Sequence, residues 1–325
     1  MEKYSDILKK NNELIDNKKD FYNISLLSNT IVHQSKEIIE CALREAGINA
    51  IITLQNYNNI VQDSQKQSSS DSVIIFWELV NLVNGLQYKI DLLTENEIKE
   101  IEEKIKSEIK FVFDNLKNCP LLIVNRFSGL FFSNYLFSNN KLEKLSNNLN
   151  SFINGIDQLN LKLIDVDKII ANVGIEVSFN SRYFYSSKAI YTVDFFKEYV
   201  QFVKPIFMSI NGLSKKALIF DCDNTLWKGI LGEDGFNGIE LSTNTNNGQI
   251  FQEIQSIAKS LSQKGIIIGL CSKNNMLEVN EVIEKHPDMI LKDKFISIKE
   301  INWSNKVSNL LSISERLNIG LDSIV

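Results

Sequence analysis

The sequence predicts an α/β protein of two Rossmann-like domains, each a mostly parallel sheet flanked by helices. Three observations carry this. Short apolar runs bounded by turn residues recur without strict alternation, as in strands buried on both faces. Longer amphipathic segments of helical period lie between them, so strand and helix alternate. The 325 residues, 44% hydrophobic, are enough for two cores. The divisions expected are residues 1–205, a linker at 206–214, and 215–325.

Taken in order, a helical or frayed start precedes a strand at Asn23 to Leu27, which ends in Ser28-Asn29-Thr30. An amphipathic helix from Ile31 to Ala46 closes at Gly47, and a strand follows at Ile48 to Leu54. Gln62 to Asp71 is polar and Ser-rich and reads as an exposed loop. Val73 to Trp77 and Leu121 to Asn125 are strands separated by a charged-face helix, Thr94 to Lys117. Leu142 to Leu159 is helical and Leu161 to Val166 is again a strand. Tyr191 to Met208 is an aromatic-rich connecting helix, followed by a possible hinge at Asn211-Gly212. The second domain starts with a strand at Ala217 to Phe220. Trp227 to Leu241 holds four glycines, too many for a regular helix. Gln249 to Lys264, Leu277 to Lys285 and Lys306 to Leu317 are helices, with a strand at Gly265 to Leu270 after the first of them.

A net charge of -5 with dispersed Lys and Arg gives no footprint for nucleic acid or an anionic membrane. No apolar run approaches a membrane span, and the charged first twenty residues hold no signal-peptide core. A cytoplasmic protein is expected. Cys41, Cys119, Cys222 and Cys271 lack zinc or CxxC spacing and read as free thiols.

Chemistry concentrates where the strand Ala217 to Phe220 meets Asp221-Cys222-Asp223-Asn224-Thr225. Ligands sit at the carboxyl ends of parallel strands. A two-residue period can aim Asp221 and Asp223 the same way, one as a phosphate-attacking nucleophile and the other as acid/base, with Thr225 as an orienting hydroxyl. The competing reading is an Asp-Asn turn that merely closes a strand.

The stretch DCDNTLWKGILGEDGFNGIEL resembles the DxDxT motif and following segment of the haloacid dehalogenase (HAD) superfamily, in the form carried by FkbH-like proteins of subfamily IIIC. Gly269-Leu270-Cys271-Ser272-Lys273-Asn274 resembles that family's second motif, and Ile301-Asn302-Trp303-Ser304-Asn305-Lys306 its third. The resemblance implies that Asp221 attacks phosphorus and Asp223 protonates the leaving group. It also implies that Ser272, Lys273, Asn274 and Lys306 bind the phosphorylated small-molecule substrate, and that magnesium is held by the Asp221 carboxylate and the Asp223 carbonyl. FkbH-like proteins are associated with loading a glyceryl unit from an acyl phosphate onto an acyl carrier protein in polyketide biosynthesis. Cys222 is placed to carry an acyl group, although strand alternation turns it away from the Asp pair and nearby carboxylates disfavour its thiolate. Cys271 is a weaker candidate. Trp227 to Leu241 resembles the flap that closes over such sites, with Lys228 where the family shows a second Gly.

The first domain is similar to the SGNH-hydrolase-like domain that precedes the HAD domain in FkbH-like proteins, through SLLSNT and the Arg182-Tyr183 region. A working hydrolase needs a histidine in a late DxxH motif to activate Ser28. His33 and His286 do not form one, and each is expected at the surface or as a cap. This domain is therefore expected to bind or dock rather than hydrolyse, with Ser28 and Asn29 as candidate ligand contacts. The family's fourth motif, an acidic pair that completes the magnesium site, follows residues like Asp322-Ser323-Ile324-Val325 and is not reached here. The expectation is thus a fragment, a split protein or a degenerate non-catalytic subunit, with Asp288, Asp293 and Asp322 as the residues to supply a missing ligand.

Overall fold

The computed structural model describes residues 3–67, 69–132 and 140–325; Ser68, inside the expected polar loop, lies outside them, as do the first two residues. Two compact units divide the chain, Met1–Asn211 and Gly212–Val325. No described helix is long and apolar enough to cross a membrane.

The first unit is built on five parallel strands: β1 (Tyr22–Ser28), β2 (Ala50–Leu54), β3 (Ser72–Phe76), β4 (Leu121–Asn125) and β5 (Leu161–Ile164). Their spatial order is β2-β1-β3-β4-β5. Every residue of β3 is buried, and the reason is visible in its neighbours. Ile74 and Phe76 enter one core with helices α1 (Tyr4–Glu13) and α2 (His33–Glu45), while Val73 and Ile75 enter the other with α3 (Glu95–Leu116) and α4 (Lys141–Asn154). An uninterrupted apolar run is what a doubly covered strand requires. Thr94 starts α3 with a reciprocal capping box to Glu97, and α5 (Val166–Val173) follows β5 directly.

Two expectations for this unit are corrected here. The polar loop at 62–71 is not wholly exposed: Ile60–Asp63 is helical and Asp63, Ser64 and Gln67 are buried. The Asp63 carboxylate accepts from the Asn56 N–H and side chain and pairs with Lys66, so these polar groups satisfy one another instead of solvent. The strand expected to reach Val166 stops at Ile164. The aromatic helix expected over Tyr191 to Met208 is found as α6 (Val193–Ile210), continues through Pro205 and buries Phe195, Phe196, Tyr199, Val203 and Phe207 in the first unit's own core. A stripe spaced three and four residues apart holds α6 to the sheet.

The second unit has strands β6 (Ala217–Phe220), β7 (Ile267–Ser272) and β8 (Ile298–Ile301), parallel and in that order. Ser323 to Val325 lie along the other side of β6, where Ile219 N–H donates to Val325 O at 2.8 Å and Val325 N–H to Ala217 O at 3.0 Å. Helices α7 (Asn246–Gln263), α8 (Met276–Lys285) and α9 (Lys306–Leu317) connect them. Only Ala217 of β6 is fully buried, so full cover of this strand on both faces, as expected, is not found. Gly269 in β7 is required by packing: a Cβ there would lie 2.6 Å from Ile219 Cδ1 and 2.7 Å from Ile298 Cγ2.

Candidate active site

Register places the motifs together. Phe220 pairs with Leu270 and Ser272 with Ile301, so Asp221, Ser272 and the segment after β8 emerge at one carboxyl edge. Asn302 organises that last segment, its N–H donating to Ser272 O at 3.1 Å while its Oδ1 accepts from Ser304 N–H and Asn309 Nδ2. Asn305 then caps α9 by accepting from Val307 N–H, which puts Lys306 in the first helical turn. Lys306 Nζ donates to Asp221 Oδ2 at 2.5 Å.

Asp221 Oδ1 accepts from Cys222 N–H at 2.8 Å. Burial pushes the Asp221 carboxyl up, but Lys306, the Ser272 hydroxyl and the Cys222 N–H outweigh it and hold the group below the ordinary carboxylate range. The bond to Asp221 raises Lys306 in turn. Both groups are therefore charged at neutral pH.

Asp223 is held differently. Its Oδ1 accepts from Trp227 Nε1 at 2.9 Å and from Leu231 N–H at 3.1 Å, and its Oδ2 accepts from Asn274 Nδ2 at 2.8 Å. Asn274, expected to bind substrate, is thus buried and turned onto Asp223. Thr225 lies in the turn, where its N–H donates to Cys222 O at 3.2 Å, and Lys273 is exposed. Trp227 and Asn302 were not singled out from the sequence, although Trp227 falls inside the first motif. The Gly-rich segment is tied down at its base: Lys228 and Glu240 exchange two main-chain hydrogen bonds, and Trp227 is fully buried.

Cys222 does not fit the role of acyl carrier. It is fully buried in the apolar cluster with Leu226 and Trp227, and burial, reinforced by Asp221 and Asp223, pushes its thiol up to about 12. Burial also raises the Cys271 thiol. Neither thiol presents a nucleophile at the edge. His286 is buried rather than at the surface; its Nδ1 accepts from Asp288 N–H at 3.3 Å, beside the Phe236 ring. His33 is exposed at the first residue of α2. Among the described residues, no group of three or more His, Cys, Asp or Glu is placed to hold a metal ion.

In the first unit, Ser28 ends β1 and Asn29 follows it, at the carboxyl edge where β1 adjoins β3 and the strand order reverses. Their side chains are spent internally: Ser28 Oγ donates to Thr30 O at 2.8 Å, and the Asn29 amide exchanges two bonds with the Glu78 main chain. Glu78 itself is buried and donated to by Tyr191 OH at 2.6 Å, and burial pushes its carboxyl up to about 7. Arg182 and Tyr183 are exposed on the short helix Ser181–Ser187.

No family profile and no curated protein matches the chain. Among solved structures, it is similar to the N-terminal part of the protein BF1531 from Bacteroides fragilis, described as containing a phosphatase domain and complexed with magnesium. The TM-score is 0.81 at 24% identity, over 100% of this chain and 88% of that one. This likeness establishes a shared fold. A second similarity, to the salicylyl-acyltransferase SsfX3 from a tetracycline biosynthetic pathway, has a TM-score of 0.35 at 8% identity over 61% of this chain and 56% of that one, and carries no argument.

Proposed function

We propose that the second unit is a phosphoryl-transfer site of the phosphatase type. The observation that carries this reading is the Asp221–Lys306 pair at the carboxyl edge, with Asp223 held two residues away by separate donors. An ionised carboxylate beside a fixed ammonium is a nucleophile with a built-in partner for the charge on a transferring group. In this reading an Asp221 oxygen forms a bond to phosphorus as the bond to the leaving oxygen breaks. Asp223 gives that oxygen a proton, then takes one from the water that attacks the aspartyl phosphate, and inorganic phosphate departs. Ser272 and Lys306 hold the phosphoryl oxygens.

Magnesium fits the donors in kind, because a hard cation is commonly held by one or two carboxylates with phosphate and water. The Asp221 carboxylate and the Asp223 carbonyl would hold it, and the phosphatase-domain structure of similar fold contains it. When bound, it neutralises charge on the phosphoryl group. The finer proposal, a glyceryl acyl phosphate as donor and an acyl carrier protein as acceptor, rests on the motif resemblance. Exposed Leu277, Trp303 and Val307 beside the motif loops suit a carrier's apolar contact. The first unit is proposed as an SGNH-like docking domain without hydrolase chemistry.

The test is phosphate release from acetyl phosphate with and without magnesium. Wild-type release that chelation removes and Asp221→Asn abolishes supports the reading. No release from the wild type favours the alternative, a non-catalytic subunit.

A further inference from the structure

We infer that Trp227 and Asn274 are positioning residues that lock the Asp223 carboxyl in one rotamer, so that its Oδ2 alone carries the transferable proton. This rests on the phosphoryl-transfer reading above and deepens it.

The argument is one of hydrogen-bond capacity. A carboxylate oxygen has about two acceptor positions. Asp223 Oδ1 already takes two donors, the Trp227 indole N–H at 2.9 Å and the Leu231 main-chain N–H at 3.1 Å. Among the described residues Oδ2 takes one, Asn274 Nδ2 at 2.8 Å, and keeps one position open. A proton on Oδ1 would have to displace one of two fixed donors. Placed on Oδ2 it displaces none.

The donors are themselves rigid. Trp227 is wholly buried among Leu226, Leu231 and Ile239, and an indole has no other polar atom with which to turn elsewhere. Asn274 is buried too, and its Nδ2 lies 3.4 Å from Ser272 Oγ, which links the acid/base group to the proposed phosphoryl-binding hydroxyl. Leu231 opens the short helix Leu231–Asp234 of the Gly-rich segment. One carboxyl thereby joins the turn after β6, the loop after β7 and the base of that segment. Rotation of the carboxyl would break three hydrogen bonds at once, and so the clamp fixes the proton's direction before substrate arrives.

Leaving-group dependence separates this role from simple structural support. An acyl phosphate expels a stable carboxylate and needs little proton donation, whereas an alkyl phosphate expels an alkoxide and depends on it. Trp227→Phe, which removes the N–H, is expected to lower kcat for an alkyl phosphate such as glycerol phosphate by about ten- to a hundred-fold, with KM little changed. Acetyl phosphate hydrolysis should fall by no more than about three-fold. Asn274→Ser serves as a second variant where the smaller ring in the core impairs folding, and its ratio should move in the same direction. In an Asp223→Ala background neither change should alter the ratio further. Independently of turnover, the indole proton resonance of Trp227, one of three tryptophans, should move upfield in Asp223→Ala. An unmoved resonance overturns the clamp. So does an equal fall on both substrates in an active protein, which leaves the phosphatase reading standing. A wild type that releases phosphate from neither substrate refutes the reading and the inference together.

Discussion

Replacing Lys306 by Met separates the chemical role of this lysine from any role in stability, and the structure sets the two magnitudes apart. The ion pair with Asp221 is open to solvent, with 44% of the Lys306 side chain and 38% of the Asp221 side chain exposed. Pairs so screened contribute about 0–1 kcal/mol, so the denaturation midpoint of Lys306→Met should shift by only a few degrees. The proposed nucleophile also survives the change. Without Lys306 the Asp221 carboxyl moves up, since burial then opposes only the Ser272 hydroxyl and the Cys222 N–H, which still hold it down. What is lost is the cation that, in the proposed reaction, faces charge on the transferring phosphoryl group. Removal of one such fixed donor commonly costs about 10²–10³-fold, or roughly 3–4 kcal/mol of barrier. The sign of the pH effect follows from the depressed folded value of Asp221. Its stabilisation is present above the unfolded pKa and is lost as pH falls through the folded one, so the small stability difference between wild type and variant should vanish in acid. The assay is phosphate release from acetyl phosphate at pH 7 beside thermal unfolding of the same samples. A fall under about three-fold, or a fall matched by unfolding, would refute the argument.

Glu78→Gln should stabilise the protein at pH 8 by up to about 3 kcal/mol, because the buried carboxyl titrates at about 7 rather than near 4.5. Here the folded value is raised, so wild-type stability is full below pH ~4.5 and declines as pH rises toward 7; urea curves for the two proteins that run parallel from pH 5 to 8 would contradict this. Cys222 should resist iodoacetamide at pH 8 in the native protein and react on unfolding, given its burial and a pKa of about 12; peptide mapping that finds it among the first thiols alkylated would count against the placement. Thr94→Ala removes the capping box of α3 and should cost about 1 kcal/mol, read as a lower urea midpoint, whereas an unchanged midpoint would show that the helix is held by packing alone.

Much of the fold was legible because its signals are local. The runs Val73 to Phe76 and Leu121 to Val124 are apolar at consecutive positions, the pattern that a doubly covered strand uses. The helix from Glu95 to Leu116 announces itself by Thr94 and Glu97. The strand Ile298–Ile301 was missed because four residues containing Lys299 and Glu300 carry no apolar run; Lys299 and Glu300 are satisfied by Asp293 and by Ser312 and Arg316. Chain order likewise placed Asp221, Ser272 and Lys306 each just beyond an apolar segment or at a helix start, the positions where a parallel sheet gathers its reactive groups.

The sequence by itself therefore determined the class of fold, two of the three strands that bear the motifs and the residues gathered at one edge, since periodicity and spacing are written along the chain. Partnership was decided only by tertiary structure. That Asn274 turns to Asp223, that an indole completes Oδ1, that Cys222 and His286 are buried and that α6 runs past Pro205 into the first core all depend on residues distant in sequence meeting in space. A side chain's type fixes what it can donate or accept. Burial and distance, which only the packed sheet creates, fix whether it does so.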